Sequence, residues 1–285
     1  MPLSGLPIVS IAWVRSILRR ITAGDPTIRV YHTAKYVKNE VFGRDWVARH
    51  IERRSRGSGG FFRSNFPNGP EAALHLIRVV SLAEMILNLQ RVRGFPECAG
   101  QPKNPGQIEA TFAELEVGKL LFIHKVDFEF NTRTNIRRRD YDLRIRCPNG
   151  REAVADTKCK EESGQPSQST INHSLDRARQ QLPDQPPGIV FVKVPRLWIE
   201  DEAYAASLDN IASDFMRGTS RIVSVKFYVT SVVTDPDNIG DILSVREITT
   251  QRDDFGTCVD WNLFPTEPVT DPEALLASVG WFRLI

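Results

Sequence analysis

The sequence predicts an α/β protein in which a mixed central sheet is flanked by helices. From residue 107 onward, segments with helical apolar spacing alternate with β-branched segments of strand length. Their order is α-β-β-β-α-β, followed by α-β-β, and this alternation favours a mixed sheet covered by helices. Residues 1–100 show helical spacing only, so a helical N-terminal extension is expected before the sheet domain.

The N-terminal region, residues 1–100, is expected to contain an amphipathic helix over about 8–22 and a second helix from Pro70 that stops near Gly94. In the second helix, apolar residues recur at the i, i+3, i+4, i+7 spacing, and between the two helices a segment rich in Gly, Ser and Arg predicts a linker over 53–70. The remaining predicted elements, all within a domain at 101–285, are helices at 107–121, 167–182 and 201–217 and strands at 125–130, 141–147, 152–159, 188–194, 221–233 and 242–249. The last two strands would extend the sheet, and the apolar tail at 281–285 is expected to dock onto the core.

Charge is unevenly distributed along the 285 residues. Residues 1–63 contain 12 Lys/Arg against 4 Asp/Glu, a net charge of +8, whereas residues 195–285 contain 7 against 15, a net charge of −8. A basic N-terminal region suits a polyanion partner. The alternative is that both stretches are solvated surface.

The cysteines and the hydropathy indicate the compartment. Cys98, Cys147, Cys159 and Cys258 are scattered without a CxxC pair, which favours a reducing environment over a disulfide framework or a zinc site. No apolar run reaches the length of about 18 residues that a membrane span needs. A cytoplasmic protein without a membrane partner is therefore expected.

The most informative segment is a predicted hairpin at 140–160. Pro148 and Asn149 suit the central positions of a type I turn, and Gly150 suits the left-handed position of a three-residue loop. In that register Cys147 pairs with Arg151.

The same register places Asp142 directly opposite Asp156, with Cβ atoms about 4.5–5.5 Å apart. Lys158 lies two residues beyond Asp156 and therefore shares its sheet face. Opposed carboxylates repel, and a divalent cation such as Mg²⁺ (or Mn²⁺) supplies a reason for the arrangement because it prefers oxygen ligands. A neighbouring lysine can orient a water or stabilise charge on a phosphate. The alternative is an ordinary surface hairpin.

This segment resembles the PD-(D/E)XK nuclease superfamily. The family's signature aspartate matches Asp142, in Tyr-Asp rather than Pro-Asp, and its acidic-x-Lys motif matches Asp156-Thr157-Lys158, with Asp where Glu is commoner. The resemblance covers about residues 107–195 and implies a restriction-endonuclease-like αβββαβ core. It also implies Mg²⁺-dependent hydrolysis of DNA, with RNA as the alternative substrate and a homodimer left open.

The family's first helix often contributes a glutamate, for which the candidates are Glu109, Glu114 and Glu116. The helical neighbours of Glu114 are small or apolar, so it is expected to turn inward and complete the catalytic and metal-binding set with Asp142 and Asp156. Glu116 lies next to Phe112 and Lys119 along the helix and is expected at the surface.

Nucleic-acid contacts are expected from cations and one amide near the hairpin. A basic cluster beside a carboxylate site suggests a phosphate track. The alternative is a solvated loop whose arginines neutralise nearby acids, and Asp140 is expected to form salt bridges there. The candidate contacts are Arg137, Arg138, Arg139, Arg144, Lys160 and Gln181.

Two other functions remain open on the sequence. One is a nuclease-like fold that grips nucleic acid or a protein without cutting, and the other is a metal-free interaction protein with the hairpin as scaffold.

Overall fold

A computed structural model describes most of the chain between residues 6 and 252. The described residues are 6–22, 26–52, 61–62, 70–100, 107–123, 125–132, 134, 136–146, 150–160, 164–235 and 240–252. Most of the predicted linker, the turn residues Pro148 and Asn149, and the apolar tail lie outside them.

The contacts divide the chain into two compact units. Among the described residues, the first unit comprises those up to Arg91 together with Phe95–Phe112, and the second comprises Val92–Gly94 and those from Ala113 onward. The division falls inside a helix, C-terminal to the boundary expected at residue 100.

The first unit is helical. Helix α1 begins after Ser10, whose Oγ accepts the backbone N–H of Trp13 at 3.1 Å, and it buries Val14, Ile17 and Leu18 along one face. The predicted amphipathic helix is therefore confirmed. The helices are α1 (Ile11–Arg20), α2 (Pro26–Phe42), α3 (Arg44–Val47), a π-helical turn (Ala48–Glu52), α4 (Pro70–Leu89), α5 (Phe95–Ala99) and α6 (Ile108–Ile123), of which α6 continues into the second unit.

Two details differ from the sequence expectation. Helix α4 ends at Leu89, before Gly94. Gly94 instead has a φ of +77°, and a Cβ there would lie 2.0 Å from the carbonyl oxygen of Phe130. Helix α2 was not predicted, because its buried positions include the polar residues Thr33 and Lys38, which obscure the apolar spacing.

The second unit is built on a mixed sheet. Within the described residues the strand order is β1-β2-β3-β4-β5-β6. The neighbours β1–β2, β2–β3 and β5–β6 are antiparallel, whereas β3–β4 and β4–β5 are parallel. The elements are β1 (Asp127–Phe130), β2 (Leu143–Arg146), β3 (Glu152–Cys159), α7 (Gln168–Gln181), β4 (Gly188–Lys193), α8 (Arg196–Glu200), α9 (Glu202–Arg217), β5 (Ile222–Asp235) and β6 (Gly240–Gln251).

The α/β class with a mixed sheet flanked by helices is thereby confirmed. Helices α7 and α9 pack Leu175, Ala178 and Leu208 against one sheet face, where Val190 and Val225 point. Strand β4 is buried throughout, as expected for a central strand with parallel neighbours. The order α6-β1-β2-β3-α7-β4 also agrees with the predicted α-β-β-β-α-β succession.

The helices of the described residues include none that combines the length and apolar character of a membrane span.

Lys38 of α2 is a buried lysine whose amino group forms no ion pair with a carboxylate of the described residues. Its side chain is wholly buried, and Nζ donates to the backbone carbonyl of Val79. Burial lowers the pKa of Lys38 well below its ordinary value, and the charge of Lys35 lowers it further. The folded state therefore favours the neutral amine.

This burial predicts a pH-dependent stability. Unfolded lysine titrates near pH 10.4, so below that value and above the lowered folded pKa the unfolded chain binds the extra proton and stability rises with pH. Replacing Lys38→Met should remove a slope of up to about 1.4 kcal/mol per pH unit in this window and should raise stability at neutral pH. Urea denaturation across the window measures it. An equal slope in both proteins would contradict the buried neutral amine.

Candidate active site

The β2–β3 hairpin has the predicted register. Leu143 pairs with Ala155 and Arg146 with Glu152, which continues the pairing of Cys147 with Arg151 deduced from the turn. Gly150 has a φ of +80°, the left-handed conformation expected of it.

Asp142 and Asp156 follow at the open end of the hairpin. The paired register ends at Leu143 and Ala155, and the backbone N–H of Asp142 donates to the carbonyl oxygen of Ala155 at 2.9 Å, so direct pairing of Asp142 with Asp156 stays a prediction. The Asp142 Oδ2 accepts the backbone N–H of Thr157 at 2.7 Å, a contact that the sequence could not reveal because it involves the backbone. Asp142 is 6% exposed and Asp156 is 0% exposed. Both aspartates are therefore buried at the open end of the hairpin.

Glu114 of α6 joins the two aspartates electrostatically. It is 4% exposed, as the inward orientation predicted. The pKa of Asp142 is raised well above its ordinary value, first by burial and then by the charges of Glu114 and Asp156. The charge of Lys158 and the hydrogen bond from Thr157 lower it in part. The site thus concentrates three buried carboxyl groups around one lysine.

Lys158 is held between a carboxylate and an amide. Its Nζ lies 2.5 Å from Oδ2 of Asp156 and donates to Oε1 of Gln181 at 2.5 Å. Gln181 in turn donates its Nε2 to the backbone carbonyl of Asp140 at 3.2 Å. Gln181 therefore orients Lys158 toward Asp156, rather than presenting an uncommitted amide to nucleic acid as the sequence suggested.

The carboxyl groups have the chemistry of a hard-cation site but not the spacing of metal ligands. Oxygen donors in an acidic, buried cluster suit Mg²⁺ or Mn²⁺. Nevertheless, no group of three or more His, Cys, Asp or Glu side chains among the described residues has the spacing of metal ligands. Lys158 also contacts one oxygen of Asp156, and the Thr157 N–H donates to one oxygen of Asp142. A cation would have to share these oxygens or use the opposite ones.

The surface location expected for Glu116 is wrong. Glu116 is 5% exposed, its Oε2 lies 2.8 Å from Nζ of Lys193, and its Oε1 accepts the hydroxyl of Thr230 at 2.7 Å. Glu116 is thus a structural carboxylate paired across to β4 and β5. Its helical neighbours could not indicate this, because the partners lie far along the chain on the sheet.

The arginine run forms an exposed loop pinned to the end of α7. Arg137, Arg138 and Arg139 are all exposed. Arg138 has a φ of +66°, its backbone N–H donates to Gln180, and its guanidinium lies 2.6 Å from Asp184. Among the described residues, Arg137 and Arg139 have no ion-pair partner. Two of the three cations are therefore available to a polyanion.

Asp140, expected to form salt bridges with these arginines, has its Oδ1 in a different role. That oxygen accepts the backbone N–H of Thr134 at 2.7 Å and the Thr134 hydroxyl at 3.0 Å. Asp140 thereby orders the loop that precedes β2.

Two further cations are engaged within the protein. Arg144 donates to the Tyr141 hydroxyl at 3.2 Å, and its Nε lies 3.9 Å from Glu129. Lys160 donates to the backbone carbonyl of Thr170 at 3.0 Å and to the hydroxyl of Ser174 in α7. Burial lowers the pKa of Lys160. Arg144 and Lys160 therefore bond to groups of the protein itself. Phosphate binding by either would require its side chain to move.

The chain matches no protein-family model, no curated protein and no solved structure at a significant level. A functional inference therefore rests on the side-chain arrangement described above.

Proposed function

We propose that this chain is a metal-dependent nuclease that hydrolyses phosphodiester bonds, with DNA as the expected substrate. The proposal includes a restriction-endonuclease-like core formed by α6-β1-β2-β3-α7-β4, similar to that of the PD-(D/E)XK superfamily. The observation that carries it is the burial of both Asp142 and Asp156, with the charges of Glu114 and Asp156 acting on the Asp142 carboxyl group and Lys158 against Asp156. Buried like charges are costly unless a cation offsets them.

In this proposal Glu114, Asp142 and Asp156 hold the metal ion. When bound, Mg²⁺ or Mn²⁺ offsets charge on the phosphate and activates water for attack. The raised pKa of Asp142 supports the assignment, because a site that disfavours a third negative charge gains most from a divalent cation.

Lys158 is assigned to the water or to the charge that develops on the phosphate. An ammonium group has three N–H donors, and two acceptors, Asp156 and Gln181, engage Lys158 among the described residues. The third donor is available to a substrate oxygen. Gln181 acts as a positioning residue, since it restrains the ammonium group from the side of α7.

A binding module without catalysis is the second candidate. It is favoured by the 2.5 Å contact between Lys158 and Asp156, which neutralises one carboxylate without a metal. Such a module would bind nucleic acid equally well with and without a divalent cation, whereas a nuclease would require the cation for cleavage.

Cleavage assays separate the two candidates. Purified protein should cleave supercoiled plasmid and linear DNA in Mg²⁺ or Mn²⁺. It should cleave neither in EDTA. A protein that binds both DNA forms but cuts neither in any divalent cation would favour the binding module. The same assay on RNA distinguishes the alternative substrate.

The exposed arginine loop predicts salt-dependent binding. Counterion release makes log Kobs fall with log salt by about 0.9 per phosphate contacted in duplex DNA. Replacing Arg137, Arg138 and Arg139 by alanine should therefore remove about one to three phosphate contacts and flatten the salt slope accordingly. Fluorescence anisotropy at several salt concentrations measures this slope. Arg217→Ala provides a control, because Arg217 is an exposed cation on α9 paired with Asp214. An unchanged slope in the triple variant would move the binding surface elsewhere.

A further inference from the structure

The helical first unit contains a groove that the proposed nuclease site does not use. It has a volume of about 590 Å³ and is lined by one face of α1, one face of α2 and the segment from Arg44 to Glu52. Binding sites for small molecules typically measure about 300–1,000 Å³. The groove is therefore large enough for a ligand of nucleotide size.

Apart from Ile17, which α1 also buries, the groove-lining residues of the two helices are not core positions. Trp13 and Arg20 of α1 are seven residues apart and share a face, as do Tyr36 and Asn39 of α2 with the residues one turn before them. The core-facing positions of α2 are different residues, among them Ala34 and Val37. Mixed aromatic and polar residues on a helix face that the core does not need call for another explanation.

Two arginines line the groove, Arg20 and Arg44. Among the described residues, the Arg20 and Arg44 side chains have neither a hydrogen bond nor an ion pair, although both line the groove. Lys35, by contrast, pairs with Glu52 and lies 5.8 Å from the centre of the Tyr31 ring. A guanidinium group recognises phosphate through paired N–H donors. Arg20 and Arg44 can therefore accept an anionic group while Lys35 serves the fold.

The aromatic residues suit a planar ring. Tyr36 is 48% exposed, and Trp13 is half-buried on the facing helix, so both rings are accessible to a ligand in the groove. Bases stack on such rings whatever their sequence. Asn39 contributes an amide that can donate to and accept from a base edge.

The acidic residues of the groove favour a single nucleotide over a longer nucleic-acid strand. Glu40 and Glu52 also line the groove, so a continuous phosphate track through it would meet two carboxylates. A single phosphate at the arginines avoids them, and a base bears no charge. We propose that the groove binds one nucleotide, with its base against Trp13 and Tyr36 and its phosphate at Arg20 and Arg44. The nucleotide is either free or the terminal unit of a strand.

Calorimetric titration of the full chain tests this proposal. Deoxyadenosine 5′-monophosphate and thymidine 5′-monophosphate should bind saturably, whereas deoxyadenosine and inorganic phosphate should each bind at least about tenfold more weakly. Tyr36→Ala should weaken nucleotide binding at least about fivefold, the lower end of the effect of removing a stacking ring. Arg20→Gln should weaken the monophosphates but leave the weak binding of deoxyadenosine unchanged.

Arg15→Gln is the matched control, because Arg15 is an exposed arginine of α1 that does not line the groove. It should bind as the wild type does. An equal loss in Arg15→Gln and Arg20→Gln, or no saturable binding of either nucleotide, would overturn the proposal.

A short 5′-phosphorylated oligonucleotide distinguishes a free nucleotide from the terminal nucleotide of a strand. Tighter binding than the monophosphate indicates the end of a strand, and weaker binding indicates a free nucleotide; both support the groove as a nucleotide site. The inference does not depend on the nuclease hypothesis. The titrations are carried out in EDTA and measure binding alone, whereas the nuclease hypothesis is tested by cleavage in Mg²⁺ or Mn²⁺, so failure of one hypothesis is distinguishable from failure of the other.

Discussion

Lys158→Met should lose cleavage while it retains binding of nucleic acid and metal. Lys158 contacts Asp156 and Gln181, and in the proposed mechanism it acts on the water or on transition-state charge. Removing one preorganised electrostatic group typically costs about 10²–10³ in rate. Methionine keeps much of the length and apolar stem of lysine. Single-turnover cleavage of plasmid in saturating Mn²⁺, alongside anisotropy with labelled DNA, measures both properties.

The variant also leaves Asp156 without its lysine, so the metal-free protein should be less stable than the wild type. Lys158→Arg, which keeps the charge but alters the reach of the donors, should fold and still cut more slowly. Lys125→Met is the control for loss of a lysine charge, because Lys125 is exposed and outside the cluster. Equal cleavage by the wild type and both Lys158 variants would place any observed activity elsewhere or in a contaminant.

Asp142→Asn should abolish most of the stabilisation that Mn²⁺ confers. A ligand that binds only the folded state at 100 times its Kd stabilises by about 2.7 kcal/mol, so the wild type should melt several degrees higher in Mn²⁺. Asparagine keeps an oxygen to accept the Thr157 N–H but removes one of the carboxylate charges. Without metal, the variant should be as stable as the wild type or slightly more stable, because the repulsion with Glu114 and Asp156 falls.

Glu152→Gln is the matched control for this thermal shift. Glu152 lies on β3, the strand that carries Asp156, is exposed, and pairs with Arg146 at a distance of 3.8 Å. It should retain the full Mn²⁺ shift. Equal shifts in Asp142→Asn and the wild type would argue against a metal site at these carboxylates.

The hairpin could be predicted residue by residue because local chemistry determines it. The Pro-Asn-Gly sequence at 148–150 predicts the loop length, and Gly150 has the positive φ that such a loop needs. That single assignment gives the register of Leu143 with Ala155 and predicts that Asp142 and Asp156 meet, and the charge of Asp156 does act on Asp142. The inward position of Glu114 followed from its small and apolar helical neighbours.

Contacts between distant segments could not be predicted in this way. Glu116 resembles a surface residue in its helix, yet it is buried by Lys193, which lies on β4. Lys160 shares a strand face with Lys158, but the position of α7 decides that its amine donates to the backbone carbonyl of Thr170. In both cases the deciding partner belongs to an element whose placement depends on tertiary packing.

Helix α2 was missed for a related reason. Its core face carries Thr33, whose hydroxyl donates to the carbonyl of Arg29, and Lys38, whose amine donates to Val79. Such internal hydrogen bonds allow polar residues to be buried and remove the apolar periodicity that identifies a helix.

Metal-dependent cleavage by the wild type and by Asp156→Asn is the measurement that tests the nuclease hypothesis most directly. Both proteins, with Glu152→Gln as the control, are incubated with supercoiled and linear DNA in Mg²⁺, Mn²⁺ and EDTA. Asp156 is wholly buried against Lys158, so its carboxylate is placed to serve both metal and lysine. We expect the wild type and Glu152→Gln to cut only with a divalent cation and Asp156→Asn to cut in none. Cleavage by Asp156→Asn at the wild-type rate, or DNA binding by the wild type without cleavage in any metal, would contradict it.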